Sequence, residues 1–365
     1  MGKFYSIKEI VNVSIYIILL IVVLLCCILE SNAVTLKIGN NRIKTRNVSF
    51  IICFLFIFIM GIFRAELLGV DVNNYKEYFE VWYLDYTFID TLKNVNIDIG
   101  YVLINKIIYF FTHDFFIAKC IIYSVSFGVI SYVIYKCSMY PALSYLIYIG
   151  FGYLGLSFCI LRQFLAIPIC LYAYKFVEKR DLKKFIIAIG IASTFHKTAI
   201  TFLIIYPLLT YQFKNYQFVK KIVMISVFFT GALIILPILM SVYVNDYSDN
   251  FVVGEGISLL LFFVFINIFL SLISQYYKKT IVTKKQKDIL FLPICFQIIA
   301  FFFSLFSRIT YYFSILFIIT IPNIVYKNKN NKIIIVVFIV IFSLLFAYNL
   351  ITDSSNIIPY SSIFD

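Results

Sequence analysis

Charge is what this chain has least of. Only 13% of its 365 residues are Asp, Glu, Lys or Arg, 62% are hydrophobic, and the mean hydropathy is +0.97. A soluble domain carries about 25% charged and about 45–50% apolar residues, so the bulk numbers exclude a soluble globular protein and imply an integral membrane protein. Cysteine pairs at metal-binding spacing are missing too. The eight cysteines, at 26, 27, 53, 120, 137, 159, 170 and 295, lie in or beside apolar runs, and none forms CxxC. That argues against a zinc site and against structural disulfides; thiols in such places serve as small hydrophobes. The sequence has no glycine-rich phosphate loop, no cluster of metal ligands, no inverted repeat and no low-complexity segment. Neither a metal nor another cofactor is expected. The first apolar run, Val11 to Leu29, lacks a small-residue cleavage site, is too long for a signal-peptide core and is followed by Glu30. It is expected to be a retained span.

What the chain has instead is long apolar stretches, at residues 11–29, 47–63, 116–135, 140–157, 161–177, 218–241, 257–277, 288–306, 309–326 and 333–350. Crossing a bilayer takes about 20 such residues. Residues 182–211 are long for one span and short for two, with His196 and Lys197 at their middle, so a broken pair of short helices is expected there. Residues 99–112 are short and amphipathic, which suggests an interfacial or re-entrant helix. With the N-terminus outside, the inner loops are 30–46, 136–139, 175–184, 212–221, 278–288 and 327–332. They hold 21 of the 31 Lys and Arg but 4 of the 18 acids, the asymmetry that the positive-inside rule describes. The expectation is an all-α polytopic membrane protein of about twelve transmembrane helices. Residues 1–365 form a single transmembrane domain, and 64–115 an outer loop with the short helix. The formal charge of +13 is then a topology signal, and no nucleic-acid partner is expected.

The costly residues carry the functional reading. An Arg at the centre of a membrane helix costs about 2.5–3.5 kcal/mol on insertion scales, yet Arg162 stands inside "SFCILRQFLAIPICLY" (157–172). In the expected topology Arg162 falls at the outer end of its helix, as do Arg64 and Arg308. His196 sits at the outer apex of the broken pair, and Asp71 in the outer loop. Singly, each has an ordinary explanation: an arginine that snorkels, a polar residue at a helix break, a solvated acid. Jointly, guanidinium forks suit a phosphate or pyrophosphate, and Asp71 or His196 could take a proton from a hydroxyl. The sequence does not choose between those two. Gln163 stands beside Arg162 to orient a phosphate or sugar, and Tyr75 and Tyr312 are candidates for lining the cavity.

The same stretches resemble a known family. "FRAELLGVDVNNYKEYF" (63–79), "DIGYVLINKII" (98–108), "LRQFLA" (161–166), "ASTFHKTAI" (192–200), "SRITYYF" (307–313) and "IIPYSSIF" (357–364) are similar, in order, to motifs of the EpsG-like family of Wzy-type polysaccharide repeat-unit polymerases. One departure is that Asp98 and Ile99 stand where the family tends to show Glu and Pro. The resemblance implies a membrane glycosyltransferase fold of the GT-C-like type in the bacterial cytoplasmic membrane. It implies a substrate, an undecaprenyl-pyrophosphate-linked oligosaccharide, used at the outer face. It also implies pathway partners such as a flippase and a chain-length regulator. Within it Arg162 and Arg308 face the pyrophosphate, Arg64 shares that work or orients Asp71, and Asp98 is a further substrate-binding position. A flippase for the same lipid, or another outer-face transferase such as a ligase or acyltransferase, is the competing expectation. A flippase needs ligand groups reachable from both faces, whereas these charges gather on one.

Overall fold

The computed structural model describes residues 7–31, 35–38, 41–82, 97–210, 257–276, 282–302, 306–328 and 332–364. They form helices α1 (Ile7–Ser31), α2 (Thr45–Ile62), α3 (Val72–Glu77), α4 (Ile99–Phe111), α5 (Phe115–Cys137), α6 (Pro141–Gly150), α7 (Tyr153–Cys159) and α8 (Leu161–Glu178). Then follow α9 (Leu182–Phe195), a 3-10 segment (Lys197–Ile204), α10 (Ile205–Thr210), α11 (Ile257–Tyr276) and α12 (Lys284–Phe302). The chain continues with α13 (Ser307–Ser314), α14 (Phe317–Lys327) and α15 (Lys332–Thr352). One antiparallel hairpin, β1 (Thr35–Ile38) and β2 (Asn41–Lys44), pairs Thr35 with Lys44 and joins α1 to α2.

The chain divides into two compact units. The first comprises residues 1–172, 187–197 and 318–365, the second residues 173–186 and 198–317. At the centre of the first, every residue of α6 is buried, and the helix packs among α1, α2 and α15. Pro141 starts it, at a position where a missing N–H costs nothing. Gly152, at φ +75°, turns the chain through 59° into α7, a backbone conformation that a residue with a Cβ rarely takes. The helices around α6 bury one face and leave the other apolar: Ile21, Leu25 and Ile28 on α1, Ile52, Leu55 and Ile59 on α2, and Val336, Val340 and Leu344 on α15 are exposed. In water such faces would be a liability; against lipid tails they need no cover. In the second unit the packing is aromatic. Phe202 meets Phe185 and Phe313, and Phe313 stacks on Phe296 at 4.3 Å.

The protein is thus a helical membrane protein, and the described residues do not support the expected count of about twelve spans. Among the described residues five stretches are long and apolar enough to cross: Ser14–Ser31, Thr45–Ile62, Phe115–Cys137, Ser307–Lys327 and Ile333–Thr352, or six if the bent pair α6–α7 counts as one. Several of the others fall short for physical reasons. Helix α8 carries Arg162, Lys175 and Glu178 in 18 residues. Residues 182–210 break at His196 as expected, leaving a 14-residue helix on its first side. The first turn of α12 holds Lys284, Lys285, Lys287 and Asp288. Helix α4 has 13 residues, about 20 Å at 1.5 Å per residue, against a hydrocarbon core of about 30 Å. The expected span at 218–241 lies outside the described residues.

Candidate functional site

Asp98 is the hub of the polar site in the first unit. It is the N-cap of α4, in extended backbone, yet its side chain does not cap that helix. The carboxylate turns instead toward two other elements. Oδ2 stands 3.4 Å from Arg162 Nη1 and 3.6 Å from His196 Nδ1, and Oδ1 accepts the backbone N–H of Lys197 at 3.3 Å. With Asp98 only 6% exposed, a lone carboxylate would be costly there; the guanidinium, the imidazole and the amide together offset that cost.

Local sequence explains the convergence. Arg162 is the second residue of α8, whose preceding helix α7 stops at Cys159, so the guanidinium projects near a helix start and not from mid-span. His196 follows directly on α9, its own N–H bonded to Ala192 O. Gly100 lets α4 and α9 approach: a Cβ there would stand 2.4 Å from Thr194 Oγ1 and 2.9 Å from Thr194 backbone atoms. Any larger residue at 100 therefore pushes the end of α9, and His196 with it, away from Asp98. Below lies an apolar floor of Val72, Phe79, Leu161 and Leu165, in which Tyr75 meets Tyr101 edge-on at 5.6 Å. Both tyrosines lie within electrostatic reach of Arg162.

Arg162 keeps 26% of its side chain exposed while one Nη faces Asp98. Tyr75 hydrogen-bonds the same guanidinium, so only its exposed part is left to meet a ligand. The pair distance is long for a charge-assisted hydrogen bond, which suits a guanidinium that shifts toward an incoming anion. Both ring nitrogens of His196 are buried, and neither has a hydrogen-bond partner among the described residues, Nδ1 standing 3.6 Å from Asp98. Gln163 is buried beside Arg162.

The other expected residues sit elsewhere. Asp71 is half-buried at the start of α3, without a side-chain cap bond, and forms no ion pair among the described residues. Arg64 is wholly buried: Nη1 donates to Gly61 O at 2.6 Å, and the guanidinium lies over the rings of Phe158 at 4.5 Å and Tyr123 at 5.3 Å. Burial pushes its pKa down to about 10, which leaves it charged at neutral pH. The C-terminal segment clasps the same turn, Ala65 N–H donating to Ser361 O, Ile363 N–H to Phe63 O, and Tyr360 OH to Met60 O. Arg308 is exposed and Tyr312 buried, both on α13 of the second unit, where Thr198 Oγ1 donates to Tyr312 OH at 3.3 Å. Sequence reasoning passed over Gly100 and the Lys197 amide, which make or frame the site. It also missed Lys119, wholly buried in α5 with Nζ donating to Arg64 O and Ala65 O; a lysine inside an apolar run was the available signal. No group of three potential metal ligands occurs among the described residues.

A family model, described as the EpsG family, matches residues 47–362. That range takes in Arg64, Asp71, Asp98, Arg162, His196 and Arg308. No curated protein and no solved structure matches the chain.

Proposed function

The chain belongs to the EpsG family, a Wzy-like family of polysaccharide polymerases, and on that premise we propose that it joins lipid-linked oligosaccharide repeat units at the outer face of the cytoplasmic membrane. The donor is a glycan on undecaprenyl pyrophosphate, and the acceptor a sugar hydroxyl of the next unit. One observation carries the assignment of roles: a single buried carboxylate, Asp98, faces both Arg162 and His196.

The reaction forms a bond between the acceptor oxygen and the anomeric carbon of the donor and breaks the bond from that carbon to the pyrophosphate. The departing electron pair stays on the pyrophosphate, where Arg162 stabilises it, an electrostatic contribution of the oxyanion-hole kind. The acceptor proton passes to His196 Nε2, while Asp98, 3.6 Å from Nδ1 in this structure, closes to hydrogen-bond distance in the reacting complex and then holds the tautomer and the ring. Asp71, the other candidate base, has no comparable partner among the described residues. Gln163 and Tyr75 orient sugar or phosphate groups beside Arg162. Arg64, held between rings and backbone, braces the wall on which the site is built. A flippase and a chain-length regulator supply substrate and limit product.

The test is a gel profile of surface polysaccharide from cells lacking the gene, complemented with the wild-type sequence, Arg162→Ala or His196→Ala. Polymerisation as the lost step leaves single lipid-linked units at the outer face. Units stranded on the cytoplasmic side would reassign the protein to transport, and a product changed in esterification but not in length would reassign it to acyl transfer.

A further inference from the structure

Within the second unit, a cavity of about 310 Å³ opens between α11 and α12. Asn267, Ser271 and Gln275 line it from α11, and Lys287, Leu290 and Phe291 from α12. Asn267 closes one end, its Nδ2 donating to Phe263 O on its own helix and to Leu290 O across the gap at 3.1 Å. Two features extend from this cavity in opposite senses. Along α11 runs a stripe of Leu261, Phe265, Ile268 and Leu272, each at least half exposed and spaced by four, three and four residues, hence on one helix face. From Leu261 to Leu272 the rise is about 16 Å at 1.5 Å per residue, half of a hydrocarbon core about 30 Å thick. At the other end stand Lys284 and Lys287, exposed, three residues apart on one face of α12, and without an ion pair among the described residues. Thr283 and Gln286 cap that helix reciprocally, Thr283 N–H donating to Gln286 Oε1 and Gln286 N–H to Thr283 Oγ1. The capping box holds both lysines at a formed helix start.

We infer that this cavity seats one anionic phospholipid. Its acyl chains lie along the Leu261–Leu272 stripe, one leaflet in length. Its phosphodiester meets Lys287 and Lys284 at the mouth, with Ser271 and Gln275 to bond the headgroup. The stripe asks for a hydrocarbon tail of that length, and the uncompensated cations ask for a negative headgroup. A zwitterionic lipid satisfies the first demand and not the second. The site shares no residue with the Asp98 cluster, so this reading and the glycosyl-transfer reading fail or hold independently.

The experiment is native mass spectrometry of the full-length protein, stripped of lipid and titrated with phosphatidylglycerol or phosphatidylethanolamine of identical chains. The first lipid to bind should favour phosphatidylglycerol roughly tenfold, the order that one or two lysines near an anionic headgroup supply. Lys284→Glu with Lys287→Glu should remove that preference; both lysines are exposed, so the core is not disturbed. Ile268→Trp, which fills the cavity without touching charge, should weaken both lipids. Equal binding of the two lipids by the wild type, or a preference that survives the double charge reversal, overturns the proposal. Competition by glycerol phosphate at matched concentration would reassign the site to a soluble phosphate.

Discussion

Arg162 and Arg64 lie in the same unit and are withdrawn from water by opposite means. Arg162 faces a carboxylate and an imidazole and keeps a quarter of its side chain open. Arg64 is closed off completely, faces two rings, spends one Nη on a backbone carbonyl and has Lys119 against its own carbonyl. An arginine whose partner is an acid and whose side chain stays partly exposed can exchange that partner for a phosphate. An arginine clamped by rings and by the C-terminal segment cannot do so without opening the fold. Residue type was the same; the second partner and the access decide what each can do.

The largest effect should come from the open arginine. Arg162→Ala should lower polymer formation by about 100- to 1,000-fold, the scale for removing one preorganised charge-stabilising donor, with protein still in the membrane. Arg162→Lys keeps the charge and loses the fork, so it should restore activity only in part. Full-length polymer from Arg162→Ala in the gel assay would end the comparison.

His196→Ala should cost about 100-fold or more, as loss of a general base does, whereas Asp71→Asn should be milder. The reverse order, measured on membranes supplied with lipid-linked units, would move the base to Asp71. Gly100→Ala tests whether the distance to His196 matters: separating α4 from α9 by even 1 Å can cost up to about 100-fold. An unchanged rate in this variant would mean that Asp98 and His196 do not work as a pair.

Arg64 should behave differently. Arg64→Ala opens a cavity and should cost about 2–5 kcal/mol of stability, read as earlier thermal unfolding in detergent. Arg64→Met, which fills the space and removes a buried charge, should be nearly neutral. Both should make normal polymer per folded molecule. Loss of activity in Arg64→Met at full stability would place this arginine with Arg162. The smallest effect is expected from Tyr75→Phe, which removes one hydroxyl near Arg162 and should cost about 1 kcal/mol, roughly fivefold in rate.

Much of this was legible along the chain. Apolar runs of the right length marked α1, α2, α5 and α15, and the polar pair His196–Lys197 marked the break after α9, because lipid tolerates neither exposed backbone nor unpaired charge. The span count was less legible. Hydropathy scores composition, and α6–α7, α8 and α12 are apolar enough to count until a positive-φ glycine, three charges or a basic first turn shortens what can cross. In the site, Arg162 and His196 stood out by cost, but Asp98 did not; an acid beside a helix start is ordinary until three elements meet on it.

By itself, then, the amino-acid order determined that this is a helical membrane protein, which residues in it are too costly to be idle, and by motif order the family to which it belongs. Those properties are local: they depend on runs, spacings and the transfer cost of single side chains. Only the tertiary structure decided that Asp98 gathers Arg162 and His196 while Arg64 is shut between rings. Those partners lie 64 and 98 residues apart in sequence from Asp98 for the first two, and no periodicity reports a contact made by packing α4, α8 and α9 together through Gly100.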